Sequence, residues 1–272
     1  MSTEAIYRAV LPLLRSHLPA GGRYLDVGSG TGELLRRVRA GWRGSSFGCD
    51  YTGQWMQLPG QKVDVADLNR DPLPYESAFF DAVSCTEVIE HLDDYRRLLR
   101  EIFRVLRPGG IVVLSTPNIL NLKSRLRFLW FGFWNLFGPL SFSQRIRFDT
   151  DGHITPVHYF HLAHALHEAG FTELGLTVDR WQRSSLFSLV LLYLPIRIFG
   201  GIAYRQEERR YRTIAPENAP HVKAVNALPL LLGRTCIIWA RKPVGAEDGA
   251  LRGSASERHA ERDNETASDR RR

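Results

Sequence analysis

Apolar residues at helical spacing predict that an amphipathic helix opens the chain. Ile6, Val10, Leu14 and Leu18 recur every four positions within residues 4–18. This spacing places their side chains on one face. After residue 22 the pattern changes to short apolar runs of four to seven residues, which are separated by glycine-containing turns or by amphipathic segments. The change indicates that strands follow the first helix.

Seven of these runs are predicted as strands. They cover residues 23–27, 45–49, 62–65, 79–84, 111–115, 173–179 and 235–241. Helices are predicted over residues 33–38, 87–106 and 161–169. Unbroken apolar strands that alternate with helices are typical of a parallel sheet with both faces covered. The pattern therefore predicts an α/β fold.

Two apolar segments interrupt this alternation and are predicted as helical insertions, at about residues 119–158 and 181–233. The first carries an aromatic cluster with basic residues on either side, within residues 120–148. The second is apolar over 186–204 and basic up to residue 212, and Pro195 and Gly200-Gly201 are expected to break it. Three interpretations stay open: a cap of helices over the sheet, elements that lie in a membrane interface, and a membrane span.

Composition indicates one domain over residues 1–243 and a disordered polar tail over 244–272, which has no aromatic residue. The whole chain has a net charge of +7, and this basic character belongs to the folded part, because the tail holds six arginines and seven acidic residues. A basic folded part suits an anionic partner. Cys49, Cys85 and Cys236 are scattered in apolar runs and are expected to be free thiols. With no signal peptide visible, we expect a cytoplasmic protein, peripheral at the inner face of a membrane if the insertions contact lipid.

The first predicted strand ends in a glycine-rich turn, which is the strongest chemical signal in the sequence. Residues 24–32 read Tyr-Leu-Asp-Val-Gly-Ser-Gly-Thr-Gly, with glycines at alternate positions and an acidic residue before them. A strand that turns through glycines into a helix lets a ligand approach the backbone. Asp26 would repel a pyrophosphate, so the turn suits a ligand with an ammonium group.

Five ordered motifs resemble those of the class I S-adenosylmethionine-dependent methyltransferases, and in part their ubiquinone-pathway O-methyltransferase-like subgroup. The motifs are residues 25–32, Asp50, residues 67–68, residues 80–83 and residues 106–110. The resemblance runs from about residue 24 to residue 171, with 235–242 resembling the last strand. It implies a Rossmann-like seven-stranded, mostly parallel sheet with helices on both faces and two apolar helical insertions.

The resemblance also implies the residues that hold S-adenosyl-L-methionine. The expected cofactor-binding residues are Asp26, Gly28, Ser29, Gly30, Gly32, Asp50, Asp67, Leu68 and Thr86. Asp26 and the glycine turn would hold the methionine moiety. Asp50 would accept hydrogen bonds from the ribose, as the acidic residue does in dinucleotide folds. Asp67 and the Leu68 amide would lie at the adenine.

The block Glu87-Val88-Ile89-Glu90-His91 follows the fourth strand and is predicted to be helical, so that Glu87, Glu90 and His91 share one face. Similar blocks occur in metal-using ubiquinone-pathway and small-RNA methyltransferases. Together with His153 they predict a site for Mg²⁺ or another divalent metal. Alternatively, Glu90 and His91 only orient the acceptor loop. His91 and His158 are the candidate catalytic bases.

The expected function is methyl transfer from S-adenosylmethionine, with O-methylation of a hydrophobic or lipid-linked small molecule or glycan favoured by the apolar insertions. Two alternatives stay open: an RNA 2′-O-methyltransferase and a non-catalytic binding module of the same fold. The expected partners are a small-molecule or lipid-linked acceptor and a membrane surface contacted through 120–148 and 186–212. Nucleic acid is less favoured, because the aromatic residues are embedded among aliphatic ones.

Overall fold

A seven-stranded sheet forms the centre of the molecule. The computed structural model describes residues 3–140, 142 and 152–245. The strand order is β3-β2-β1-β4-β5-β7-β6, with β7 antiparallel to both of its neighbours and the other pairs parallel. The strands are β1 Arg23–Val27, β2 Ser45–Asp50, β3 Val63–Val65, β4 Phe80–Thr86, β5 Leu106–Pro117, β6 Thr172–Val178 and β7 Thr235–Arg241. The mostly parallel Rossmann-like sheet is confirmed.

Helices cover both faces of the sheet. They are α1 Glu4–Arg15, α2 Glu33–Arg39, α3 Tyr95–Val105, α4 Leu122–Phe131, α5 Tyr159–Glu168, α6 Ser185–Gln206, α7 Ala219–Ala224 and α8 Leu228–Leu232. Alternate residues of β5 point to opposite faces. Ile111 and Val113 join a core with α1 and α2, whereas Val112 and Leu114 join a second core with α3 and α5.

The predicted helix over residues 87–106 is wrong in its first half. A short 3₁₀ helix, Ile89–His91, follows β4, and α3 begins only at Tyr95, where the Asp94 side chain caps it by accepting the Arg97 amide at 3.2 Å. Glu87 has a positive φ of 56°, which a helix does not allow. Glu87, Glu90 and His91 therefore do not share one helix face.

The expected break in the second insertion is also wrong. α6 continues through Pro195 and Gly200-Gly201 for 22 residues and passes into a π-helical turn, Glu207–Tyr211. Together they make one helix, Ser185–Tyr211, that is long and apolar enough to cross a membrane, and its apolar window is not buried. One side packs against α4 and α8.

Some expectations fall on residues outside the described part of the chain. They include the tail beyond residue 245 and the end of the first insertion, with its basic residues Arg145 and Arg147. All three cysteines are described, buried and free of disulfides, as expected.

Candidate active site

A cavity of about 770 Å³ lies where β1, β2 and β4 end at their carboxyl edges. This edge is where open parallel sheets bind ligands, because the helices that follow the strands diverge there. The predicted cofactor residues that line it are Asp26, Gly28, Ser29, Gly30, Asp50, Asp67, Leu68 and Thr86. Residues far apart in sequence thus share one concave site.

The glycine turn closes one wall of the cavity. The carbonyl of Cys49 accepts the amides of Gly28 and Ser29, at 2.8 and 3.2 Å, and so ties the turn to the end of β2. A Cβ on Gly28 would lie 2.1 Å from Val88 Cγ2, whereas a Cβ on Gly30 would meet nothing within 4 Å. Gly28 is therefore required by packing, and Gly30 leaves space on the ligand side of the turn.

Asp26 is 2% exposed at the end of β1 and lines the cavity. Its Oδ1 accepts a 2.5 Å hydrogen bond from the Ser84 hydroxyl, which is itself 2.6 Å from Tyr24 Oη. Burial raises the pKa of Asp26 to about 7, against the opposing effect of Ser84. A ligand with an ammonium group would return this carboxylate to its charged form.

Asp50 holds the glycine turn from the second strand. Its Oδ2 accepts the Gly30 amide and its Oδ1 accepts the Tyr51 amide, at 2.8 and 2.7 Å. Burial raises the pKa of Asp50, while these amides oppose the shift. Each carboxylate oxygen keeps acceptor capacity for a ribose hydroxyl, since an ionised carboxylate offers about four lone-pair positions.

Asp67 lies farther along the cavity, in the turn after β3. Its Oδ1 accepts the Asn69 amide at 3.0 Å, and Leu68 beside it is 7% exposed and lines the same wall. An apolar wall beside a carboxylate suits a heteroaromatic ring with an exocyclic amino group. The three aspartates thus define the polar positions of an elongated site.

Gly32 does not line the cavity, contrary to expectation. It is the N-cap of α2 at φ 81°, and a Cβ there would lie 2.5 Å from Met56 Sδ. Its role is to start α2. Sequence reasoning instead missed Tyr7, which α1 brings to the cavity, and Trp55, whose ring meets the Tyr51 ring edge-on at 4.9 Å. An aromatic residue soon after Asp50 was the available signal.

Glu90, His91 and His153 form a compact cluster beside the cavity. One possible ligand atom from each lies within 4.8 Å of the others. Glu90 is fully buried, its Oε2 accepts the Thr116 hydroxyl at 3.1 Å, and its Oε1 has no hydrogen-bond partner. The Glu90 carbonyl accepts the amides of Ile154 and Thr155, which brings His153 to His91.

Both imidazoles are oriented by backbone carbonyls. His91 Nδ1 lies 2.8 Å from the Gly152 carbonyl, and His153 Nδ1 lies 3.0 Å from the Leu136 carbonyl. These contacts assign the proton to Nδ1 and leave the Nε2 lone pair available. Burial lowers the pKa of His91 and lowers that of His153 to about 4, so both are neutral at pH 7. Of the two, His91 lines the cavity.

Glu87 is not part of this cluster, so the predicted four-residue metal site is reduced to three among the described residues. Its Oε1 accepts the Ser115 hydroxyl at 2.9 Å, and the side chain lines the cofactor cavity. Burial raises the pKa of Glu87 to about 7 and raises that of Glu90 as well. The donor set that remains is one carboxylate and two imidazoles.

His158 does not line the cavity, contrary to its expected role as a second base. It is the N-cap of α5, where its Nδ1 accepts the Phe160 amide at 3.1 Å. This hydrogen bond satisfies an orphan donor of the helix. His161, His164 and His167 are exposed on α5.

Comparison with known proteins agrees with this geometry. Residues 3–174 match a family described as "Methyltransferase domain". A probable S-adenosylmethionine-dependent methyltransferase of Mycolicibacterium smegmatis is 36% identical over 125 residues, which are 42% of this chain and 44% of that protein. The ubiquinone/menaquinone biosynthesis C-methyltransferase UbiE of Geotalea daltonii is 31% identical over 121 residues, 39% of this chain and 52% of its own. The chain thus spans about half the length of these relatives.

The fold has solved counterparts. A SAM-dependent methyltransferase from Archaeoglobus fulgidus superposes with a TM-score of 0.53 at 19% identity, covering 87% of this chain and 94% of the other. This likeness shows the fold alone, whereas the family match covers more than half of the chain. By the match over residues 3–174, the chain belongs to the methyltransferase-domain family.

Proposed function

We propose that this protein transfers a methyl group from S-adenosylmethionine to an oxygen atom of a hydrophobic or lipid-linked acceptor. The observation that carries the cofactor assignment is the placement of Asp26, Asp50 and Asp67 along one cavity. Asp26 would bind the ammonium group, Asp50 the ribose and Asp67 the adenine amino group. An acidic cavity of this kind suits a cationic cofactor and opposes a pyrophosphate.

The transfer itself is an in-line displacement. A lone pair of the acceptor oxygen attacks the methyl carbon, the carbon–sulfur bond breaks, and its electron pair neutralises the sulfonium to give S-adenosylhomocysteine. The acceptor hydroxyl must lose its proton. His91 lines the cavity with a neutral ring and an available Nε2, and it would take up this proton. The protein otherwise contributes orientation and exclusion of water.

The hydrophobic acceptor is supported by what surrounds His91. The His153 ring lies 4.9 Å from the His91 ring, and the Phe137 ring lies 5.2 Å from that of His153. Phe137 is buried, and the Trp134 carbonyl accepts its amide. The rings packed next to His91 thus come from the first insertion, and surroundings of this kind suit a site for an apolar small molecule.

The proposal also includes a metal ion bound beside the cavity. Glu90, His91 and His153 would hold it, and two imidazoles with one carboxylate suit a transition metal better than Mg²⁺, which prefers oxygen ligands. The unpartnered Oε1 of Glu90 fits this donor set. Such an ion would supply a Lewis acid for the acceptor oxygen.

A chelator tests the role of this ion. Activity that survives a chelator would assign proton removal to His91 alone. Loss of activity that added Mn²⁺ restores would assign it to the ion.

C-methylation of a quinone-type ring is the second candidate. It is favoured by the names of two relatives, the UbiE protein of Geotalea daltonii and the demethylmenaquinone methyltransferase of Bacillus licheniformis, which is 32% identical over 136 residues. In that reaction the nucleophile is a ring carbon, and the base removes a proton from that carbon. The chemical shift of a ¹³C-labelled methyl group in the product separates an O-methyl from a C-methyl.

The proposal is tested by supplying the purified protein with methyl-labelled S-adenosylmethionine and either solvent-extracted lipids or total RNA. We expect label in the lipid extract, carried by a discrete species that an Asp26→Asn control does not produce at the same level. We expect no label in RNA above the level of that control. Label in RNA instead would contradict the hydrophobic acceptor. Binding of the cofactor without transfer to any extract would favour the non-catalytic module.

A further inference from the structure

The outer side of α6 is an uninterrupted apolar stripe. Phe187, Val190, Leu191, Leu194, Ile198 and Ile202 follow one another at helical spacing, and each is between 49% and 81% exposed. Soluble monomers rarely leave an apolar surface of this length uncovered. The stripe therefore has an occupant.

The C-terminal end of α4 extends the same surface. Leu129 and Trp130 are 70% and 72% exposed, and α4 packs beside α6. We call the exposed side chains of residues 128–131 and the outer stripe of α6, within residues 186–202, the α4–α6 face. Two neighbouring helices thus present aromatic and aliphatic side chains together.

Arginines lie at both ends of the α6 stripe. Residues 180–212 contain seven arginines and only two acidic residues, Glu207 and Glu208. Arg205, Arg209 and Arg210 follow the stripe and are exposed, and Arg183 precedes it. An apolar helix face with arginines at its ends matches a membrane interface, where apolar side chains enter the acyl region and the arginines meet anionic headgroups.

The inner side of α6 is held by protein. Leu189, Leu192 and Ile196 pack against a buried cluster of Leu122, Leu231 and Leu232. The Leu232 carbonyl also accepts the Gln182 amide at 2.8 Å, just before α6 begins. A spanning helix would have to leave these contacts, whereas a helix lying in the interface keeps them.

We propose that the α4–α6 face docks this protein onto an anionic lipid bilayer, with α6 parallel to the surface. The face is connected to the active site by aromatic contacts. Phe128 on α4 stacks on Trp134 at 4.5 Å, and the Trp134 carbonyl accepts the amide of Phe137, whose ring faces His153. Docking would therefore bring bilayer-dissolved molecules towards the His91 side of the cavity, where the proposed acceptor would bind.

Vesicle flotation of the full chain tests this proposal without any acceptor. The protein is mixed with phosphatidylcholine vesicles that either contain or lack phosphatidylglycerol. We expect flotation with the anionic vesicles that high salt weakens, because each arginine near the surface contributes about fivefold to partitioning. Absence from the floating fraction with both lipids would overturn the proposal.

Two variants locate the contact. Val190→Glu/Leu194→Glu places charges in the outer stripe and should lower partitioning by about tenfold or more. Val244→Glu is the matched control, because Val244 is as exposed as Val190 but lies outside the face, and it should float like the wild type. Arg205→Gln/Arg209→Gln/Arg210→Gln should remove most of the preference for anionic lipid. Equal flotation of all variants would contradict the docking surface.

Two further outcomes would assign the face another occupant. Resistance of the bound protein to alkaline carbonate extraction would show a spanning helix. A lipid-free dimer that Val190→Glu/Leu194→Glu dissociates, without any vesicle binding by the wild type, would show that the face meets a second copy. Binding of S-adenosylmethionine should be the same in every variant, so failure to dock and failure of the proposed activity are distinguishable.

Discussion

Asp26 is the residue on which we expect cofactor binding to depend most. An Asp26→Asn variant keeps the shape of the side chain but removes the charge that meets the ammonium group. Because hydrogen bonds to charged groups contribute about 1.5–3 kcal/mol, affinity for S-adenosylmethionine should fall by about thirtyfold or more. Isothermal titration calorimetry measures this loss of affinity. The melting temperature should not fall, since the buried carboxyl is costly to ionise in the free protein.

The pH dependence of binding follows from the same residue. With its pKa raised to about 7, Asp26 in the free protein binds a proton below that pH, and the cofactor must displace it. Affinity should therefore decline as pH falls through about 7. Above about 8 it should decline again, because the amino group of the cofactor loses its own proton.

Glu87 provides the control for this pH profile, because it lines the same cavity and its pKa is also raised to about 7. Glu87→Gln should keep the acid limb of the profile, and Asp26→Asn should lose it. Measuring the affinity of both variants for S-adenosylmethionine between about pH 5 and 9 decides which carboxyl group causes the loss of affinity at acid pH. An acid limb that persists in Asp26→Asn would contradict it.

Alanine substitutions of Gly28 and Gly30 should have different effects, one mainly on stability and the other mainly on cofactor binding. Gly28→Ala would place a Cβ 2.1 Å from Val88 Cγ2, so it should lower the free energy of unfolding by about 2–4 kcal/mol. Gly30→Ala meets no protein atom and should cost only about 1–2 kcal/mol for its left-handed backbone, yet it should weaken cofactor binding. Urea unfolding and isothermal titration separate the two effects. Equal stabilities would contradict the packing role of Gly28.

At the scale of elements, Asn118 joins the end of β5 to α8. Its side-chain nitrogen donates to the carbonyls of Leu230 and Gly233, both at 2.8 Å, and its oxygen accepts the Leu120 amide at 3.0 Å. Asn118→Ala would leave these buried groups unpaired. We expect a loss of about 3 kcal/mol in the free energy of unfolding, measured with urea. Asn69→Ala, at a less buried site with one such bond, should cost much less.

The strands could be predicted closely, because a strand buried on both faces leaves a continuous apolar run. β1 and β7 have the predicted bounds, and β2, β3, β4 and β6 differ by one or two residues at their ends. β5 begins five residues earlier than predicted, at Leu106. The segment over 87–94 could not be predicted in the same way. Its conformation depends on tertiary contacts, such as the hydrogen bond from Thr116 to Glu90, that local spacing does not report.

α6 shows the same limit of local sequence patterns, because here a break was predicted and the helix is continuous. Pro195 and Gly200-Gly201 are helix breakers in an isolated peptide, which is why a break was expected. In the folded protein, α6 runs unbroken, with its inner side packed on α4 and α8. Packing and length thus outweigh propensity at these positions.

Across the whole molecule, the sequence predicted the placement of the three cavity aspartates better than that of the other residues around the cavity. Asp26 and Asp50 lie at the carboxyl ends of β1 and β2, and Asp67 follows β3, so the sheet topology alone brings them to one edge. Tyr7 reaches the cavity only because α1 packs across the sheet, and His153 reaches His91 through backbone contacts of Glu90. Tyr7 therefore left no local pattern to recognise, whereas His153 was expected beside His91 only because of the family resemblance.

The central claim is that the cavity at the carboxyl edge of the sheet binds S-adenosylmethionine through Asp26 and Asp50. Isothermal titration of the full chain at about pH 7.5, where Asp26 is largely ionised and the amino group of the cofactor still charged, tests it. We predict one molecule bound per chain, and no detectable binding by an Asp26→Asn/Asp50→Asn double variant that still folds. Absence of binding by the wild type, or equal binding by the folded double variant, would contradict the claim.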